Sequence, residues 1–207
     1  YYATDFLVFR SDSSVERFFN EVISLNITIP ESIISIGNEA FRECSGLASI
    51  TVNSANTVYR SEGNCIIERS SNKLIVGCKN SVIPSDVISI GYGAFYGHKN
   101  LTSITIPDNV TSIEGYAFSD CNGLVNLTIS DSVTSIERYA FAGCKSLTSI
   151  TIPNSVVSID SSAFFKCSNL TRVTFANPNG WKAGSVDMSG KLTDPATNAT
   201  YLVNTYR

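Results

Sequence analysis

The amino-acid sequence predicts an α/β repeat solenoid, in which short coils of chain stack on one another. The dipeptide Ala-Phe recurs with a constant period of 23 at four places between positions 94 and 164, and a fifth copy lies at positions 40–41. Self-similarity at such a period is typical of repeat architectures. The composition follows from the repeat, because the strand positions of each unit carry isoleucine, which outnumbers leucine by 21 to 11. Serine and threonine, 47 of 207 residues, fill the variable positions.

Each regular repeat predicts two extended stretches followed by a turn. The unit has the pattern L-x-x-I-x-I-P-x-x-V-x-x-I-x-x-x-A-F-x-x-C, for example at residues 101–121. The part L-x-x-I-x-I ends in the alternation of a strand with one buried face, and the proline ends that strand. V-x-x-I predicts a second tight stretch, and A-F-x-x-C a helical or 3₁₀ turn. Eight positions per unit must point inwards, so neighbouring units stack and their strands form a parallel sheet.

One repeat is longer than the others. The Ala-Phe copies at residues 40 and 94 lie 54 positions apart, which is one period of 23 plus 31. Within this interval two short apolar runs, residues 65–67 and 74–76, flank the polar stretch 68–73. We therefore predict two strands joined by a polar turn in an irregular repeat at about residues 53–82. The expected result is a bulge or a projecting hairpin in the solenoid.

Residues 1–28 lack the repeat and are predicted to form an N-terminal cap, since an open solenoid must cover its terminal core. Residues 6–9 predict a strand. The pattern S-x-x-E at residues 13–16 is a capping-box signal and predicts the start of a short helix. Its apolar stripe would consist of Val15, Phe18, Phe19 and Val22.

The repeats occupy residues 29–175, and residues 176–207 are predicted to form a C-terminal cap. Trp181 is expected to fold back over the last coil. Asp194 and Pro195 predict the start of a final helix, with aspartate as the N-cap and proline at the first helical position. Tyr201, Leu202 and Tyr206 are candidates for the inner face of that helix.

The repeat resembles that of the leucine-rich repeat superfamily, in the 23-residue class of BspA-like bacterial and protist surface proteins. The resemblance rests on the unit I-P-x-x-V-x-x-I-x-x-x-A-F-x-x-C-x-x-L-x-x-I-x-I and covers about residues 29–175. It implies a right-handed coil with the parallel sheet on the concave face and short helical or 3₁₀ turns on the back. Residues 53–82 are also similar to that family's irregular, hairpin-bearing repeat.

Composition argues against several classes of protein. A formal net charge of −3 lacks the basic excess of a nucleic-acid-binding domain. No run approaches the roughly 18 apolar residues of a membrane span. The chain starts with neither methionine nor the basic and apolar segments of a signal peptide, so we expect Tyr1 to begin a fragment of a longer protein.

The cysteines predict a structural ladder. Four of the six share one repeat position, at which His98 replaces a fifth: Cys44, Cys121, Cys144 and Cys167. A 23-residue spacing matches no zinc pattern, so these residues are predicted to be buried free thiols, and His98 to be a ladder position near the surface. No metal site is expected. Cys65 and Cys78 lie on opposite arms of the irregular repeat and are the best disulfide candidates, with their redox state left open.

No catalytic constellation is evident, and we predict a protein that is not an enzyme and needs no cofactor. The single histidine has no partner at a spacing that suggests a triad. The acidic residues of the repeats fall at loop or back positions, where we expect them to solvate the outside of the coil: Asp108, Glu114, Asp120, Asp131, Glu137 and Asp160.

The resemblance places the exposed strand positions on the concave face, where they would form a platform of small hydroxyl groups. The predicted positions are Ser49, Thr51, Ser103, Thr105, Asn126, Thr128, Ser149, Thr151, Arg172 and Thr174. The platform could bind a protein or glycan, or it could be a solvated β face on which threonine suits the strands. The exposed aromatic candidates lie on the back instead: Tyr92, Tyr96, Tyr116 and Tyr139. They could form an aromatic strip or cover the phenylalanine layer beneath.

These observations predict a non-enzymatic interaction domain of a secreted or cell-surface protein. The resemblance implies adhesion to a host or microbial partner, which would be a protein or a glycan of unknown identity. Neither nucleic acid nor a membrane span within this segment is expected, and the chain is expected to be monomeric. The alternative is a structural spacer, whose repeats present a neighbouring domain of a larger surface protein.

Overall fold

A computed structural model describes residues 7–9, 14–18, 25–38, 40–160, 162–177, 179, 182–183, 186–187 and 192–205. Over these residues the chain is a β-solenoid of short, mainly parallel strands with little helix, which confirms the predicted fold class.

The strands are numbered in chain order. The first five are β1 (Leu7–Phe9), β2 (Ser14–Phe18), β3 (Leu25–Ile29), β4 (Ser35–Ile36) and β5 (Leu47–Val52). The irregular repeat contributes β6 (Tyr59–Glu62), β7 (Cys65–Glu68) and β8 (Lys73–Val76). The regular coils follow with β9 (Ser89–Ile90), β10 (Ser103–Thr105), β11 (Ser112–Ile113), β12 (Asn126–Thr128), β13 (Ser135–Ile136), β14 (Ser149–Ile152), β15 (Ser158–Ile159) and β16 (Arg172–Phe175). Last come β17 (Lys182–Ala183), β18 (Val186–Asp187), helix α1 (Pro195–Thr200) and a π-helical turn (Tyr201–Thr205).

The L-x-x-I-x-I segments form the predicted parallel strands, but these strands pair two by two. The pairs are β3 with β5, β10 with β12, and β14 with β16. The irregular repeat separates β5 from β10 in the chain. The break between β12 and β14 coincides with Leu127, which is half-buried where the other strands place a buried isoleucine such as Ile104 or Ile150. The sheet predicted for the concave face is therefore interrupted within the described residues.

The V-x-x-I segments form the longest sheet among the described residues. In β9, β11, β13 and β15 the same Ser-Ile dipeptide pairs in parallel with its copy one period further along the chain, for example Ser112 with Ser135. The sheet continues through β8 and β7 to β6, which makes seven strands. The predicted second tight stretch is thus a continuous sheet along the solenoid.

The A-F-x-x-C segments are the predicted tight turns on the back. Within one turn the Cys121 amide donates to the Phe118 carbonyl (3.2 Å), which is 3₁₀-type geometry. Between turns the Phe118 amide donates to the Ala140 carbonyl of the next coil (2.7 Å). The rings of Phe95, Phe118, Phe141 and Phe164 stack with centroids 4.9–5.3 Å apart. Hydrogen bonds and stacked rings therefore join successive turns.

The irregular repeat contains the predicted hairpin and one further strand. β6, β7 and β8 form an antiparallel meander, and β8 then pairs in parallel with β9. The hairpin does not project, because both of its faces are buried. Ile66 and Val76 pack into an N-terminal core with the buried apolar residues of 27–59. Ile67 and Leu74 pack into a C-terminal core that extends to Leu202.

Gly77 explains where the phenylalanine stack ends. The Gly77 amide donates to the Ala94 carbonyl (2.9 Å), a bond that a phenylalanine amide makes in the regular coils. A Cβ at Gly77 would lie 2.0 Å from the Phe95 ring, so only glycine fits beneath that ring. Gly77, at the end of the meander, thus occupies the place beneath Phe95 that a phenylalanine ring occupies in the regular coils.

The helix predicted at the S-x-x-E signal is wrong. Residues 14–18 form β2, which pairs antiparallel with β1 and parallel with β4. Val15 and Phe18 suit strands, and ladders on both sides satisfy the backbone groups of β2 better than one isolated capping interaction does. The strand predicted at 6–9 is confirmed as β1, while Phe6, Ser13, Phe19 and Val22 lie outside the described residues.

The C-terminal helix begins where predicted. The Asp194 carboxylate accepts a hydrogen bond from the Thr197 amide (2.7 Å), and Pro195 is the first helical residue. Leu202 is buried against the C-terminal core and Tyr201 packs on it, as expected for the inner face. Trp181 and Tyr206 lie outside the described residues.

Candidate functional site

The ten residues predicted for the concave face all lie on strands of the interrupted concave sheet. Each of β5, β10, β12, β14 and β16 carries two of them, on alternate positions. Nine are exposed and Ser49 is half-buried. Since successive strand residues point to opposite faces, the intervening residues face the core, as Ile104 and Ile150 do.

The strand pairing brings eight of the ten residues together in two groups. Ser103 lies opposite Asn126, and Thr105 opposite Thr128. In the other group Ser149 lies opposite Arg172, and Thr151 opposite Thr174. The remaining two, Ser49 and Thr51, pair instead with Asn26 and Thr28 of β3, beyond the irregular repeat. Strand pairing therefore divides the predicted platform into three groups.

A concavity of about 360 Å³ lies at the break between β12 and β14. Five predicted residues line it: Thr128, Ser149, Thr151, Arg172 and Thr174. Leu127, Ile129 and Ile150 line it as well, and the sequence analysis missed them because their positions face the core in a continuous sheet. The one cue in the sequence is Leu127, which stands where four other strands carry isoleucine.

The chemistry of this concavity is that of hydrogen bonding. Threonine and serine hydroxyls both donate and accept, and the Arg172 guanidinium offers several donors with a positive charge. Within the described part of the chain, no ion pair involves Arg172. Thr28 and Thr51 show that such hydroxyls come within hydrogen-bonding distance of each other across strands, at 2.9 Å. The site can bind polar or anionic groups.

The tyrosines on the back form a continuous aromatic strip, which we define as Tyr92, Tyr96, Tyr116, Tyr139 and Phe165. Neighbouring ring centroids lie 4.9–6.3 Å apart. Tyr96 is buried and the others are half-buried, so they are less accessible than expected. Phe165 was missed because it occupies a variable position next to the repeated phenylalanine. The rings contact one another, which leaves less of their surface for a partner.

Cations lie over several rings of the strip. The Arg42 guanidinium lies 4.2 Å from the centroid of Tyr96, and that of Arg138 lies 4.8 Å from the centroid of Tyr139. A hydrogen bond from Arg138 to the phenolic oxygen, 3.3 Å long, lowers the pKa of Tyr139. These contacts are intramolecular and stabilise the back of the coil.

The thiol ladder is confirmed as a set of buried free cysteines. Each thiol of the regular coils donates to the carbonyl of the phenylalanine one coil earlier: Cys121 to Phe95 (3.0 Å), Cys144 to Phe118 (3.2 Å) and Cys167 to Phe141 (3.0 Å). Burial raises the pKa of Cys121 far above its ordinary value. Such thiols remain protonated at neutral pH and are poor nucleophiles.

His98 is not near the surface, which corrects our expectation. Its exposed fraction is 1%, because it occupies the same inward position as the ladder thiols. Burial lowers the pKa of His98 to about 4, and the Phe41 carbonyl opposes this shift. Neither ring nitrogen makes a hydrogen bond of normal geometry to the described residues. At neutral pH the imidazole is therefore uncharged.

Cys65 and Cys78 are both free thiols in this structure. Burial raises the pKa of Cys65 to about 12 and also raises that of Cys78. The Ser81 hydroxyl accepts from the Cys78 amide (2.8 Å) and donates to the Asn64 carbonyl (2.7 Å), which closes this corner of the irregular repeat. A disulfide is not needed to hold the two arms together.

Three of the repeat carboxylates accept hydrogen bonds from a neighbouring coil, which goes beyond the solvating role predicted for them. Glu114 accepts from the Tyr92 amide (3.0 Å), and Glu137 accepts from the Gly115 amide (2.9 Å). Asp120 accepts from the Tyr96 hydroxyl (3.3 Å). Each link joins one coil to the next, so these side chains have a structural role.

The described residues contain no group of three or more histidine, cysteine, aspartate or glutamate side chains arranged to hold a metal ion. None of their helices combines the length and apolar character that crossing a bilayer requires.

The fold and the repeated unit define a class of protein, the β-solenoids built from leucine-rich repeats. Residues 14–72 and 66–180 match the family described as "BspA type Leucine rich repeat region", with six copies. The chain belongs to this family, whose repeats and fold are typically non-enzymatic and serve protein interaction. Among curated proteins no relative is found.

Three solved structures are similar to this chain. A leucine rich cell surface protein from Faecalibacterium prausnitzii is 34% identical, with a TM-score of 0.66 over 78% of this chain and 44% of that one. The pneumococcal vaccine antigen PcpA has the same TM-score at 21% identity, over 73% and 39%, and shares the fold. A leucine-rich repeat protein from Bacteroides capillosus is 28% identical, with a TM-score of 0.50 over 57% and 98%. This chain spans less than half the length of the first two.

Proposed function

We propose that this chain is a non-enzymatic interaction domain of a secreted or cell-surface protein, and that it binds a protein or glycan partner on its concave face. The observation that carries the proposal is the concavity between β12 and β14, where four hydroxyl side chains and Arg172 surround one opening. The ten residues of the predicted platform carry one positive and no negative charge. The favoured partner group is therefore polar or anionic.

Two further points support a location outside the cell. The chain belongs to a family of surface-type repeats, and the similar Faecalibacterium prausnitzii protein is described as a cell surface protein. The free cysteines are compatible with this location, because all six are buried and shielded from oxidants.

A binding screen tests the proposal. The chain is exposed to immobilised extracellular-matrix proteins and to a glycan array. The measurement is then repeated, for each protein or glycan that binds, with the variants Thr128→Ala, Thr151→Ala and Arg172→Ala. We expect Arg172→Ala to weaken binding about tenfold or more, because a hydrogen-bonded charged group contributes about 1.5–3 kcal/mol. Each threonine change should weaken binding by a few-fold.

Matched controls remove the same chemistry elsewhere. Lys145→Ala deletes an exposed cation on a turn, and Thr111→Ala deletes an exposed hydroxyl beside β11. Neither should alter binding. Concave-face variants that bind every positive partner as well as the unchanged chain would contradict the concave site.

The alternative function is that of a structural spacer. Its support is the continuous stack of Phe95, Phe118, Phe141 and Phe164, together with the amide ladder between turns, which makes the coil stiff along its axis. The test replaces the repeats by another rigid module of equal length in a protein that carries them beside a neighbouring domain. If the activity of the neighbouring domain is retained, the spacer is favoured; if it is lost, a binding domain is favoured.

A further inference from the structure

The irregular repeat creates a second polar pocket, away from the concave face. This seam pocket, of about 190 Å³, lies where the meander meets the coils on either side of it. Its polar lining consists of Asn38, Tyr59, Glu68, Lys73 and Glu114, and the remainder is Ile36, Ile75, Gly91 and Tyr92. Six sequence segments contribute to it, so it forms only when the irregular repeat is folded into the solenoid.

The strand register places three of these polar side chains in one row. Tyr59 lies opposite Glu68 across β6 and β7, and Glu68 lies opposite Lys73 across β7 and β8. Directly opposed residues point to the same face of a sheet and lie close together. The row therefore presents a hydroxyl, a carboxylate and an ammonium group side by side.

Neighbouring coils fix the groups around this row. The Lys73 ammonium lies 2.7 Å from Glu114, whose other oxygen accepts from the Tyr92 amide (3.0 Å). The Tyr59 oxygen accepts from the Ile36 amide (3.1 Å). These contacts hold the lining in place before any ligand arrives, and preorganisation reduces the cost of binding.

Part of the hydrogen-bonding capacity remains unused within the described residues. One oxygen of Glu68 accepts from the Ser71 hydroxyl (2.5 Å), and the other has no hydrogen-bond partner there. The Tyr59 hydroxyl accepts but does not donate, so its proton is available. Lys73 retains donors beyond the one that points at Glu114. The pocket thus offers one free acceptor and at least two free donors beside an aromatic ring, Tyr92.

We propose that the seam pocket binds a single neutral sugar unit, free or at the end of a glycan. A sugar hydroxyl both donates and accepts, so neighbouring hydroxyls can donate to Glu68 and accept from Tyr59 and Lys73. Tyr92, whose ring also packs against Tyr116 (centroids 5.3 Å apart), forms the aromatic part of the pocket wall. Drug-sized ligands occupy pockets of about 300–1,000 Å³, so the smaller volume here suits one ring. The site goes beyond the function proposed above, because it shares no residue with the concave face.

Saturation-transfer NMR tests this proposal with the methyl glycosides of glucose, galactose, mannose and N-acetylglucosamine. We expect at least one glycoside to bind saturably, with an affinity in the millimolar range typical of a few hydrogen bonds on a small ligand. Glu68→Ala should weaken that binding about tenfold. Glu68→Gln keeps the shape of the side chain and serves if the alanine variant is poorly folded; it should weaken binding by a smaller factor.

Control variants distinguish binding in the seam pocket from binding elsewhere on the chain. Glu62→Ala removes a carboxylate from the same meander outside the pocket and should leave binding unchanged. Binding lost in Arg172→Ala but kept in Glu68→Ala would overturn the seam pocket while supporting the concave site. Absence of saturable binding, or a preference for methylammonium over every glycoside, would overturn the sugar assignment.

Discussion

The regular coils and the irregular repeat differ in how their backbone amides pair and in which side chains they bring together. The back turns at residues 94–98, 117–121 and 140–144 each donate amides to the next turn, and the repeated phenylalanine and cysteine side chains occupy equivalent buried positions. The irregular repeat inserts an antiparallel meander and gives Gly77 the place of a phenylalanine. Regularity leaves few polar groups unused, whereas the insertion brings Tyr59, Glu68 and Lys73 into one row. In this solenoid, polar side chains of different chemistry therefore come together where the repeat is interrupted.

The largest expected effect comes from breaking the regular stack. Phe118→Ala removes a fully buried ring that lies between Phe95 and Phe141, at 4.9 and 5.2 Å. We expect the free energy of unfolding to fall by about 3–5 kcal/mol, measured by urea denaturation. Phe165→Ala is the control, since this half-buried ring of the aromatic strip should contribute much less. If the two variants lowered the free energy of unfolding equally, the phenylalanine stack would not be the main source of stability of the regular coils.

The next effect depends on pH and lies at the junction of the two regions. The pKa of His98 is about 4 in the folded protein and 6.5 when unfolded, so the unfolded state binds the proton more tightly. The stability that this neutral, buried ring contributes is present above pH 6.5 and is lost as the pH falls towards 4. The loss should approach about 3 kcal/mol.

His98→Cys provides the matched variant, because it restores the residue found at the other ladder positions. Urea denaturation gives the free energy of unfolding at pH 7 and at pH 4. We expect its decrease between pH 7 and pH 4 to be about 3 kcal/mol smaller in this variant than in the unchanged chain. The carboxylates contribute the same background in both proteins. An identical pH dependence in the two proteins would contradict the burial of His98.

The sequence predicted the regular coils well, because each unit repeats the same buried positions in the same order. It failed where pairing between distant segments decided the outcome. The S-x-x-E signal at residues 13–16 is local, while β2 is held by β1 and β4 on either side. His98 was placed near the surface by residue type, although its repeat position is buried in every coil.

The candidate sites show the same limit. The ten concave residues could be predicted because alternation along a strand fixes which side chains are exposed. The break between β12 and β14 could not, since a repeat pattern predicts identical neighbours. The seam pocket depends on the register of β6, β7 and β8, and apolar runs alone do not fix the register between strands.

The smallest expected effect distinguishes the two faces of the meander. Ile66 packs into the N-terminal core and Ile67 into the C-terminal core, although they are adjacent in the chain. Ile66→Val and Ile67→Val should each cost about 0.5–1.5 kcal/mol, because each removes one buried methylene group. Hydrogen exchange should report the loss in different places: in β5 for Ile66→Val, and in β10 and β12 for Ile67→Val. If both variants lowered protection equally along the whole chain, the meander would join one cooperative core and would not separate two.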